Sequence, residues 1–119
     1  MQYAIFCYNQ EAEVGRWTQE QDDEVMARHQ KVIQDLAARG KMGPVARLQP
    51  TTTATTVRSG NIKATFDGPF AETKEQLLGF YIVDCDSAEE AAEIARQFVE
   101  APGCMEIRPV RNFFPGPSA

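Results

Sequence analysis

A chain of 119 residues has the length of one domain built on one core, and a domain of that size buries roughly two-thirds of the surface its unfolded chain exposes. The apolar fraction of 43% and charged fraction of 24% are those of an ordinary soluble globular protein. A net charge of -5, with lysines and arginines scattered, argues against a grip on nucleic-acid phosphates, and no apolar run approaches the ~20 residues of a membrane span.

Tyr3 to Tyr8 is a short apolar, aromatic-rich run ended by Asn9 and reads as a strand. It has no basic leader and is too short for a signal-peptide core, so the expected compartment is the cytoplasm. Thr18-Gln19-Glu20-Gln21 fits a capping box that opens a helix running to Arg39, with Gly40 as its stop. Val25, Met26, Val32, Ile33 and Leu36 fall on one face of that helix, which therefore lies against a sheet. After Gly43-Pro44, strands are expected at Val45 to Gln49 and at Thr53 to Arg58, then a turn at Ser59-Gly60-Asn61 and a returning strand from Ile62 to Phe66. Leu77 to Cys85 is near-continuously apolar, the pattern of a central strand covered on both faces.

Ser87-Ala88-Glu89-Glu90 is a second capping box, continued by Ala91, Ile94, Ala95 and Phe98 as an amphipathic helix. Pro102-Gly103 stops it before a last strand at Met105 to Val110. The order is strand, helix, strand, hairpin insertion, strand, helix, strand, which is the split β-α-β arrangement of a ferredoxin-like α+β domain. Helices cover one face of such a sheet, so the other needs cover, and face-to-face packing in a homodimer supplies it. Phe113-Phe114-Pro115 stands ready to join that contact, and residues 115–119 read as a frayed tail after a single domain spanning 1–114.

Cys7, Cys85 and Cys104 lie far apart in apolar segments and read as buried, reduced thiols acting as small apolar side chains. One histidine and dispersed carboxylates form no metal-ligand set, and there is no phosphate-binding glycine loop or nucleophile elbow. No metal or cofactor is expected, and the ligand is a small molecule.

The stretch least explained by folding is Asp67-Gly68-Pro69-Phe70-Ala71-Glu72-Thr73-Lys74-Glu75-Gln76-Leu77. A turn needs only its first three residues, yet a specific polar run continues to the next strand. Together with Gly79-Phe80-Tyr81-Ile82-Val83, Leu48-Gln49-Pro50 and Thr53-Ala54-Thr55-Thr56-Val57-Arg58, the block resembles the DGPF-type branch of the YCII-related proteins. The similarity runs from Met1-Gln2-Tyr3 to Ile107-Arg108-Pro109-Val110. It implies a small dimeric ferredoxin-like α+β protein with a pocket, of a kind mostly without an assigned reaction.

His29 is the only histidine, hence the only side chain whose unperturbed pKa lies near neutrality. It sits in the middle of the apolar stripe of the first helix, facing the sheet. Two roles fit that position: a core imidazole bonded to a backbone carbonyl, or a half-buried acid or base tuned by a carboxylate. The resemblance favours the second. In the wider family a histidine eleven residues before the helix-ending glycine is a proposed active-site residue, and His29 has that spacing from Gly40. The acidic residue expected just before the glycine is replaced by Ala37, Ala38 and Arg39, with Asp35 displaced.

Asp67, at the end of a strand and the start of a turn, is the expected carboxylate partner, its alternative being to bond the backbone of its own turn. Arg47 is placed to hold an anionic substrate, and Glu72, Lys74 and Tyr81 to line the pocket. For each the plain alternative is a solvated face or, for Tyr81, the core. Two functions follow. One is an enzyme of isomerase, lyase or dehalogenase type, acting by proton transfer on a small organic molecule with His29 and Asp67. The other is a non-catalytic ligand-binding or regulatory module associated with an extracytoplasmic-function sigma factor, because genes for DGPF-type proteins often neighbour those of such factors.

Overall fold

A computed structural model describes residues 1–60 and 65–117. Strand β1 (Gln2–Asn9) leads through a short helix α1 (Glu11–Val14) into the long helix α2 (Gln19–Ala38) and strand β2 (Met42–Arg47). A 3-10 turn at Thr51–Thr53 precedes β3 (Thr55–Val57) and β4 (Thr65–Asp67), which pair as a separate two-stranded sheet. The chain closes with β5 (Gln76–Asp84), α3 (Ala88–Phe98) and β6 (Cys104–Pro109). The main sheet has the order β2-β5-β1-β6 with every neighbouring pair antiparallel. This is the ferredoxin-like α+β fold, two β-α-β units with their strands interleaved and the small hairpin inserted between them.

Helices α2 and α3 begin where their sequence says they should. Thr18 accepts the Gln21 N–H at 3.1 Å while the Gln21 side chain accepts the Thr18 N–H at 2.9 Å, a complete reciprocal cap. At the other end Gly40, with φ 70°, lets the Lys41 N–H reach the Leu36 carbonyl and its own N–H reach that of Ala37, the Schellman closure. The second box is only half realised. Ser87 caps the Glu90 N–H, but the Glu90 carboxylate pairs with Lys41 and the Asp86 N–H instead of returning to Ser87.

The core lies between the helices and one sheet face. Tyr3 and Ile5 of β1, Tyr81 and Val83 of β5 and Ala91, Ile94, Ala95 and Phe98 of α3 are buried together, with Leu36 from α2. Alternation turns Ala4, Phe6 and Tyr8 of β1 and Phe80 and Ile82 of β5 to the face away from the helices. Strand β5 is central, as its apolar run predicts, and β2 is an edge strand. Of the thiols expected to be buried only Cys85 is; Cys7 is half-buried, and Cys104 is exposed because it begins the edge strand β6. β2 starts earlier than expected, because Gly43 and Pro44 are accommodated at a bulge between Met42 and Val45. Of the expected turn and returning strand, residues 61–64 lie outside the described residues, as do Ser118 and Ala119 of the tail. Among the described residues no helix is long and apolar enough to cross a membrane.

Candidate functional site

His29 lies midway along α2, one turn after Val25 and two turns before Leu36, and all three are buried. The same periodicity that makes α2 amphipathic thus drives the imidazole toward the sheet, where it is 8% exposed. Its ring meets Phe98 of α3 edge-on, with centroids 5.4 Å apart and planes at 83°, and Phe98 is stacked in turn on Tyr81 of β5 at 4.1 Å.

The carboxylate beside His29 is Glu100. Its Oε2 lies 3.2 Å from His29 Nε2, and the Arg28 guanidinium donates to both its oxygens at 3.0 Å. Glu100 follows the end of α3 and is fixed from behind, since Asn9, the last residue of β1, donates its side-chain amide to the Glu100 carbonyl at 3.2 Å. Burial pushes the Glu100 carboxyl up, but the hydrogen bonds from Arg28 and His29 outweigh it and hold the group below the usual glutamate value. An ionised carboxylate only accepts, so Nε2 of His29 carries the shared hydrogen, and Nδ1 is the ring nitrogen that Glu100 leaves unengaged.

His29 lines a cavity of about 180 Å³ with predominantly apolar walls. Val14 and Trp17, from the connection between β1 and α2, form part of its outer wall, and Val25, Ile33, Leu78 and Phe98 form much of the rest. Two further polar groups reach it from the sheet. Burial pushes the Tyr81 hydroxyl up to about 12 and raises the Cys7 thiol, so both stay protonated at neutral pH. Arg47, at the end of β2, also lines the cavity and donates to the two oxygens of Asp22 at 2.6 and 3.2 Å.

Of the residues expected in a site, the structure brings together His29, Arg47 and Tyr81. Asp67 ends β4, opposite Thr55 in the two-stranded sheet, is exposed, and is not among the residues lining the His29 cavity. Glu72 lines a separate groove with Gly68, Pro69 and Thr51, and Lys74 is exposed in the approach to β5. Glu100, Asp22 and Trp17 belong to the site and escaped the sequence reading. The only trace of Glu100 in the sequence is a carboxylate placed two residues beyond the last apolar residue of α3, in a stretch that otherwise reads as a helix stop.

The Asp67–Gln76 block has a visible structural task. Gly68 donates its N–H to the Ala54 carbonyl and accepts from the Thr56 hydroxyl, which closes the small hairpin. Gln76 accepts the Glu11 N–H at 2.9 Å and donates to the Thr73 carbonyl, and the Glu11 carboxylate binds the backbone N–H and hydroxyl of Thr51. The block thereby fastens α1 and the segment after β2 to the start of β5. It also walls a larger groove, of about 710 Å³, with Tyr8, Leu48, Phe70 and Leu77.

Comparison with known proteins gives the chain a family. The family described as the YCII-related domain matches residues 1–114. An uncharacterised protein of Rhizobium meliloti (strain 1021) is 48% identical over 120 residues, covering 98% of this chain and 97% of its own. Matched over nearly its full length, the chain belongs to the YCII-related family.

Proposed function

We propose that this chain is an enzyme that moves a proton on a small, largely apolar organic molecule held in the His29 cavity, a reaction of isomerase, lyase or dehalogenase type. The observation that carries the reading is the one histidine of the chain, 8% exposed in an apolar cavity, with an ionised carboxylate fixed at one ring nitrogen. His29 is the acid or base, working through Nδ1. Glu100 orients the ring and stabilises its cationic form as the proton arrives. Tyr81 contributes a hydroxyl that stays protonated throughout, and Arg47 the positive charge at the wall. Asp67, on the outer hairpin, belongs in this reading to the scaffold rather than to the proton relay.

A homodimer in the cytoplasm completes the proposal. The half-buried apolar face formed by Phe6, Tyr8, Phe80 and Ile82 fits a second copy as its cover, and three free thiols fit a reducing compartment. The test is a turnover screen on small cyclic organic substrates with the wild type, His29→Gln and Glu100→Gln. Activity lost in His29→Gln while binding persists supports the enzyme. Ligand affinity equal in both, with no substrate turned over by the wild type, leaves a binding module in its place.

A further inference from the structure

We infer that the ligand of this cavity is a carboxylate borne on a body about one ring in size, read by Arg47, and that Asp22 is an internal competitor holding Arg47 until that ligand displaces it. The inference rests on the reading of the His29 cavity as the binding site and adds to it the class of ligand and a residue that tunes affinity.

Charge selects the class. Among the described residues Arg47 is the only lysine or arginine lining the cavity. The other polar groups lining it offer no comparable hold on an anion: Tyr81 and Cys7 are neutral, Asn9 and Gln30 are uncharged amides, the first bonded to the Glu100 carbonyl, and His29 is committed to the Glu100 carboxylate, itself an anion. Arg47 also stands between the cavity and a neighbouring groove. The cavity and an adjoining groove of about 410 Å³ share Val14, Arg47 and Leu78 as lining residues, so the guanidinium is within reach of a ligand in either.

The geometry of the Asp22 contact shows what Arg47 is shaped to accept. Its two nitrogens face the two oxygens of one carboxylate at 2.6 and 3.2 Å, the forked pairing for which guanidinium is suited. The pair is open to solvent, with side chains 52% and 25% exposed, and such pairs hold weakly. A ligand carboxylate can replace Asp22 with little loss, trading one fork for another. Size limits the remainder of the ligand: apolar cavities of roughly 150 Å³ take up benzene-sized guests, and this one, at about 180 Å³, is walled by Trp17, Val25, Ile33 and Phe98.

Trp17 is the only tryptophan of the chain and lines the cavity, so its fluorescence reports occupancy directly. Benzoate and benzamide, alike in shape and different in charge, are titrated at pH 7 into the wild-type chain, Asp22→Asn and Arg47→Gln. Benzoate is expected to bind the wild type more tightly than benzamide. Asp22→Asn is expected to tighten benzoate by roughly two- to fivefold, the fold-change of an exposed ion pair removed from competition, and to leave benzamide unchanged. Arg47→Gln is expected to erase the preference.

Equal binding of the two probes by the wild type overturns the inference while sparing the cavity. So does an Asp22→Asn chain, folded by circular dichroism, whose benzoate affinity is unchanged or weaker. If neither probe perturbs Trp17 in the wild type, the carboxylate inference and the cavity reading fall together. His29→Gln separates the two levels further, because carboxylate selection is expected to survive it and proton transfer is not.

Discussion

Glu100 keeps its charge against the pull of burial because two different donors share it: an exposed arginine that grips both oxygens and a buried imidazole that takes one. The acid stability of the fold follows from this. Its folded pKa lies below the ordinary value of 4.5, so the unfolded chain binds the proton more readily. The stabilisation is fully present above that ordinary value and is lost as pH falls from there through the folded pKa. Glu100→Gln is expected to cost about 1–3 kcal/mol at pH 7, the usual range for hydrogen bonds to a charged group, and to flatten the loss of stability below pH 4.5. Urea unfolding at pH 7 and in the acid range checks both. At this scale the sequence was legible where periodicity acts and silent where it does not. His29 could be placed because α2 repeats its apolar residues around it, whereas Glu100 and Asp22 could not: one lies in the irregular stretch after a helix, where no period acts, and the other in a helix's first turn, where carboxylates are ordinary.

Gly79 shows how the elements are fitted around the cavity. It occupies the central strand β5 opposite Cys7 on one side and Arg47 on the other. A Cβ placed there would stand 2.3 Å from the Ala46 carbonyl oxygen, which is backbone and has no side-chain freedom with which to yield. Gly79→Ala is therefore expected to cost about 1–3 kcal/mol through overpacking and to displace β2, lowering the melting temperature and weakening ligand binding at Arg47 together. Thr18→Ala tests the other support of the site. Loss of its cap is expected to cost about 1 kcal/mol, read by thermal unfolding, because the first turn it holds carries Asp22. The long elements were legible for local reasons: α2 and α3 have caps and a stripe, and β5 has an unbroken apolar run. The four residues of α1 are too few to show a helical period, and it is held instead by Gln76, 65 positions away. Similarly, the bulge that admits Gly43-Pro44 into β2 depends on pairing with β5, which no local signal announces.

For the whole molecule, the split β-α-β order leaves one sheet face without helices, and Phe6, Tyr8, Phe80 and Ile82 stand on it. Sedimentation equilibrium is expected to give twice the chain mass, and Phe80→Glu to give single chains, since a charge at the centre of an apolar contact is costly to bury. A Phe80→Glu chain that stays folded and paired would assign that face to something other than a second copy. The order of elements, and with it the topology, was legible because each step announces itself locally. The site was less so, because its parts come from both halves of the chain. The His29–Glu100 contact joins positions 71 residues apart, with β2, the small hairpin, β5 and α3 between them. A chain still emerging from the ribosome can wind α2 early, but it has no carboxylate to set against the imidazole until residue 100 is free and α3 has docked. The pair that the proposed proton transfer needs therefore forms last, and a product truncated or stalled before residue 100 lacks it however much secondary structure it has already formed.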